Sequence, residues 1–92
     1  MKESKLERQL VSGVERAGGL IYKFTSSGNA GVPDRLILIS GKIYFVEVKA
    51  PGQKLRPIQQ YQKRRIEEQG VKVFVVDSPE SLEALINEIH PA

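Results

Sequence analysis

Two kinds of apolar pattern alternate along this chain: one recurs at the period of a helix, the other runs almost without gaps. From Glu3 to Ala17, Leu6, Leu10, Val14 and Ala17 fall on one face with Val11 at its edge, which predicts an amphipathic helix. Ser4 and Glu7 have the spacing of a capping box, and Gly18-Gly19 ends the helix. Residues 20–25 predict a first strand. A small polar loop over 26–31 and Val32-Pro33-Asp34 follow, with Pro33 forcing its predecessor extended. Residues 35–39 predict a second strand, apolar on both faces. A tight turn at Ser40-Gly41 or Gly41-Lys42 leads into the third, Ile43 to Lys49, whose β-branched and aromatic run predicts burial on both faces. Pro57 opens a second helix to about Gln69, with Ile58, Tyr61, Arg65 and Ile66 as its packed side. Residues 71–76 predict a fourth strand, parallel to the third and joined to it by a right-handed crossover. Ser78 caps a last helix with Pro79 in its first turn and Leu82, Leu85, Ile86 and Ile89 as its buried stripe. The order α-β-β-β-α-β-α predicts an α/β fold, a small mixed sheet flanked by helices, and residues 1–92 are expected to form one domain.

The third strand breaks its own pattern. Glu47 and Lys49 stand in an apolar run, and residues two apart in a strand point to one side, so a carboxylate and an ammonium emerge together. Burying charge is expensive unless the charge is paired or holds a metal. A two-residue turn at Ser40-Gly41 pairs Ile39 with Lys42 and places Asp34 directly opposite Glu47. Moving the turn to Gly41-Lys42 shifts Asp34 by one diagonal step and keeps it on the same face. Two carboxylates and a lysine then share one end of one sheet face. Converging carboxylates form a hard-oxygen site suited to Mg²⁺ or Mn²⁺, for which Asp34, Glu47 and a backbone carbonyl such as that of Val48 suffice. Such an ion lowers the pKa of water and neutralises phosphate charge, and Lys49 can orient the water or stabilise the transition state.

Composition narrows the setting. Fourteen Lys and Arg stand against 11 Asp and Glu, a net charge of +3 that favours a polyanionic partner. Lys49, Lys54, Arg56, Lys63, Arg64 and Arg65 cluster after the third strand, where they would hold a phosphate backbone together with Arg35. Tyr22, Phe24 and Tyr61 are expected in the core rather than against nucleic acid. With no cysteine there is neither a disulfide framework nor a thiolate metal site. No apolar run is long enough to span a bilayer, and the N-terminus has no secretory h-region, so a cytoplasmic setting is expected.

Val32-Pro33-Asp34, a hairpin, and then Glu47-Val48-Lys49 resemble the PD-(D/E)XK phosphodiesterase signature. More narrowly, Gly31-Val32-Pro33-Asp34-Arg35-Leu36, Phe45-Val46-Glu47-Val48-Lys49-Ala50 and Leu55-Arg56-Pro57-Ile58-Gln59 resemble the VRR-NUC branch, whose virus-type members are short. The resemblance runs from about Glu3 to Val76. It implies a restriction-endonuclease-like core, Asp34 and Glu47 as metal ligands, Lys49 as the catalytic lysine, and metal-dependent cleavage of DNA. Glu7, in Leu6-Glu7-Arg8-Gln9-Leu10, matches the first-helix glutamate of archaeal Holliday-junction resolvases and would hold a metal-bound water or a second ion. From pattern alone, the Glu7 carboxylate either caps its helix or faces a site. Gln59 matches the family's helix glutamine better than Gln60 does. Related nucleases often show Gln-x-x-x-Tyr there, whereas Gln59 is followed four residues later by Lys63. Similarity to junction resolvases implies a homodimer acting on branched or four-way DNA, in a bacterial or phage-infected cell.

Two other functions compete. A non-catalytic DNA-binding or assembly module could use the same fold, but such a module has no need of buried carboxylates facing a polyanion. A metal-free RNA endonuclease would want a histidine general base, and the sole histidine, His90, lies at the end of the chain.

Overall fold

The structure is a computed structural model that describes residues 3–91, with side chains from Lys5 onward. Helix α1 (Glu3–Arg16) precedes β1 (Leu20–Lys23), β2 (Arg35–Ile39), β3 (Lys42–Val48), α2 (Pro57–Glu68), β4 (Lys72–Val76) and α3 (Pro79–Ile89). One sheet has the strand order β1-β2-β3-β4, antiparallel at its first two pairings and parallel between β3 and β4. This is the expected order of elements on a mixed sheet, in a restriction-endonuclease-like arrangement.

The β2–β3 turn is the two-residue one at Ser40-Gly41. Both residues take positive φ, 50° and 78°, the mirror-image turn whose twist matches that of the flanking strands. The register runs from Ile39↔Lys42 to Arg35↔Val46, so the next position brings Asp34 level with Glu47.

Period-2 alternation sorts the sheet into two faces. On one, Ile37, Ile39, Val46, Val48 and Val76 meet Leu6, Leu10 and Val14 of α1 and Leu82, Leu85 and Ile89 of α3 in the hydrophobic core. At the far end of α1, Gly19 N–H closes the helix onto Val14 O at 3.0 Å. Ser78 Oγ accepts from Ser81 N–H at the start of α3. The Ser4–Glu7 capping box falls on a side chain outside the described residues.

The other face departs from expectation. Helix α2 packs over β4 and the end of β3, leaving the β1–β2 half of this face open. Strand β3 is therefore not buried throughout: Ile43 is 49% exposed, while Val46, Glu47 and Val48 are buried. Tyr22, expected in the core, is 51% exposed on the same open half. The packed side of α2 is also rotated from its expected position. Gln59 and Gln62 are buried, whereas Ile58, Tyr61 and Arg65 face solvent, with the Arg65 guanidinium 5.5 Å from the Tyr61 ring centroid. The inward glutamines are tolerated because each has a hydrogen-bond partner. Phe24 is half-buried, edge-on to Phe45 at 5.0 Å.

Candidate active site

Asp34 lies one residue before β2 and directly follows the fully buried Pro33. Its backbone carbonyl accepts from Phe24 N–H at 2.8 Å, and its Oδ2 accepts from Val48 N–H at 2.8 Å. Those two bonds fix the carboxylate across the end of β3. Glu47, one residue before Val48, is 3% exposed and points to the α2 face. Its Oε1 accepts from Gln59 Nε2 at 3.3 Å.

Burial drives the Glu47 carboxyl from 4.5 up to about 8, and the adjacent Asp34, by its charge and by accepting a hydrogen bond, pushes the same way. Lys49 and Arg56 pull in the opposite direction without restoring the ordinary value. Near neutral pH the metal-free site therefore keeps a proton on Glu47, with Asp34 beside it and two cations close by.

The backbone completes a set of oxygen donors. Lys49 N–H donates toward β4, to Val76 O, while Val48 N–H donates the other way, to Asp34. A residue's N–H and C=O point to the same side in an extended strand, so the Val48 carbonyl is directed toward Asp34 too. Asp34, Glu47 and this carbonyl suit an ion that takes few protein ligands and keeps several waters. Among the described residues no group of three or more acidic, histidine or cysteine side chains could hold a metal, so the fit rests on this two-carboxylate set.

Gln59 has two roles in one amide. Its Nε2 reaches Glu47 while its Oε1 accepts Arg56 N–H at 2.9 Å, satisfying a free donor at the start of α2. Gln60, the other glutamine considered, bonds Leu55 O instead. Arg56 faces Glu47 electrostatically and is exposed, as is Lys54.

Three other expected site residues are engaged elsewhere. Glu7 Oε2 accepts from Arg35 Nε at 2.9 Å. Arg35 shares the α1 face with Ile37, opposite the face of Asp34 and Glu47, so this pair does not join the two carboxylates. The Arg35 side chain is only 13% exposed, which makes it a structural cation rather than a free phosphate contact. Lys63 bonds Glu67 at 2.9 Å along α2. His90 lines a groove of about 520 Å³ between α1 and α3, on the face away from Glu47.

Sequence reasoning missed Gln62, which is 7% exposed and donates from Nε2 to Ala30 O at 3.1 Å. Its signal was the helical period itself. With Gln59 turned to the site, Gln62 and Ile66 fall on the same side and Ile58 does not.

The mixed sheet flanked by helices, with Asp34 and Glu47 at the end of β3, is a restriction-endonuclease-like arrangement. The VRR-NUC domain profile matches residues 2–80, and the chain belongs to the VRR-NUC family of nucleases. It is 48% identical over 79 residues to "Putative nuclease p44" of Acyrthosiphon pisum secondary endosymbiont phage 1, covering 85% of each chain. A solved structure titled "VRR_NUC domain" superposes with a TM-score of 0.86 at 36% identity, covering 92% of this chain and 94% of the other.

Proposed function

We propose that the protein is a Mg²⁺- or Mn²⁺-dependent endonuclease that hydrolyses DNA phosphodiester bonds, with Asp34, Glu47 and the Val48 carbonyl as cation ligands and Lys49 as the catalytic lysine. The observation that carries this reading is the Asp34–Glu47 pair, one held by Val48 N–H and the other by Gln59, with the Lys49 and Arg56 charges beside it.

A divalent cation bound there would neutralise charge on a phosphate oxygen and acidify a water. The protein's part is to prepare the site for it. Glu47 gives up its proton on loading, and Val48 N–H and Gln59 Nε2 keep the two carboxylates aimed. The Lys49 ammonium stabilises the charge that builds on the phosphate as water oxygen bonds to phosphorus and the bond to the leaving sugar oxygen breaks. Lys54 and Arg56 hold the flanking backbone.

Branched DNA is the favoured substrate and a homodimer the favoured form. Symmetric resolution of a four-way junction needs two cuts, and a twofold dimer brings two sites. A domain of this size also gains stability by burying more surface.

The test is cleavage of labelled four-way, flap and linear duplex DNA with Mg²⁺, Mn²⁺ or EDTA. Wild type cuts only with metal, and Asp34→Ala and Lys49→Ala abolish cutting while retaining a cooperative melt. Wild-type cleavage by Lys49→Ala refutes the catalytic assignment. Equal cutting of all substrates removes junction selectivity, and metal-independent binding without cleavage favours a DNA-binding module.

A further inference from the structure

We propose that Gln62 is a positioning residue that keeps the Asp34 half of the site in register with the Glu47 half. This rests on reading Asp34 and Glu47 as cation ligands. The two carboxylates reach the site by unequal routes. Glu47 belongs to β3, which is paired on both sides. Asp34 ends a loop over residues 24–33 whose Asn29 bonds stay within the loop, to Ser26 and Ser27.

Helix α2 ties that loop down at two adjacent points. Gln62 Nε2 donates to Ala30 O at 3.1 Å. The next residue, Gly31, sits at φ +86° so close to the helix that a Cβ there would stand 2.7 Å from Ile58 O. From Gly31 the chain passes through Val32 and the fully buried Pro33 to Asp34. Three residues before Gln62 on the same helix side, Gln59 holds Glu47.

One rigid helix face therefore touches both halves: Gln59 holds Glu47 directly, and Gln62 holds the loop that leads into Asp34, whose own atoms are bonded by Phe24 N–H and Val48 N–H. The helix fixes the spacing of the two glutamines, at about 1.5 Å of rise per residue. A buried glutamine at this position would cost stability were its amide unpaired, and that amide is spent on the loop carbonyl rather than on the core.

The experiment uses Gln62→Met, which keeps length and volume but removes the donor, and Gly31→Ala, which forces the loop off the helix. Amide hydrogen exchange is measured without metal at Val48, whose N–H is bonded to the Asp34 carboxylate, and at Ile37 in the middle of β2. Mn²⁺-dependent cleavage is titrated in parallel. Losing one hydrogen bond is expected to speed Val48 exchange about fivefold in Gln62→Met, with Ile37 changed less than about twofold. The Mn²⁺ midpoint rises by a similar factor while kcat at saturating Mn²⁺ is retained. Unchanged Val48 exchange overturns the proposal. Equal acceleration at Val48 and Ile37 does so as well, because Gln62 would then only stabilise the whole fold. If Gln62→Met does not fold, Gly31→Ala is judged by the same two amides. If wild type neither cuts DNA nor responds to Mn²⁺, the nuclease reading fails, while the Val48 and Ile37 rates still decide whether Gln62 positions Asp34.

Discussion

Replacing Glu47 with glutamine should make the metal-free protein more stable while abolishing cleavage. The folded carboxyl holds its proton up to about pH 8, against an ordinary value of 4.5. Below 4.5 the folded and unfolded chains both carry the proton, and Glu47 adds no pH-dependent cost. Above it the unfolded chain releases the proton and the folded chain does not, so the folded state loses about 1.4 kcal/mol per pH unit until about pH 8. At pH 7 that amounts to roughly 3 kcal/mol.

Glutamine resembles the protonated acid. Its Oε1 can accept from Gln59 Nε2, and its amide N–H can donate to Asp34 as the protonated Glu47 does. Glu47→Gln should therefore recover most of this amount at pH 7 and under about 1 kcal/mol at pH 5. For a domain of this length, 1 kcal/mol moves Tm by about 4–8 °C, so a gain of at least ~10 °C is expected at pH 7. The assay is thermal unfolding of both proteins in EDTA at half-unit steps from pH 5 to 8.5. A Tm difference that does not grow with pH would refute the reasoning. So would a variant less stable than wild type throughout.

Metal binding must displace the same proton, so the apparent Mn²⁺ affinity should rise about tenfold per pH unit up to about pH 8 and level off above it, measured by titration calorimetry in buffers of different ionisation enthalpy. Lys54→Ala and Arg56→Ala should each weaken binding of duplex DNA and reduce the slope of log K against log salt by about 1, measured by fluorescence anisotropy. Arg35→Ala should leave that slope unchanged and instead destabilise the fold by about 1–3 kcal/mol in urea unfolding, because it strands the Glu7 carboxylate. Tyr61→Ala should change stability by less than about 0.5 kcal/mol, since the ring lies outside the core; a larger loss in denaturant melts would place Tyr61 in the packed interior after all.

The chain's local patterns determined the order of its elements, the α1 and α3 stripes and the hairpin that sets Asp34 against Glu47. Those features depend on interactions within a few residues, or on a turn whose two residues fix the register of everything after it, so they are legible without knowing the fold. Charges inside an apolar strand also marked the site, because burial without a partner is too costly to be accidental. What the tertiary structure decided was how the segments lean on one another. Apolar content alone assigned Ile58 and Tyr61 to the packed side of α2, but the hydrogen bonds offered by Glu47 and Ala30 turned Gln59 and Gln62 inward. Glu7 found Arg35, a partner 28 residues away. Likewise, the α2-side face of β3 became buried at Glu47, where α2 crosses the strand's end, and stayed open at Ile43, since covering a sheet face depends on where a helix lands and not on the strand's own sequence. The strand and its hairpin could set Glu47 against Asp34; only packing supplied Gln59 as a partner for Glu47 and Gln62 to hold the loop before Asp34.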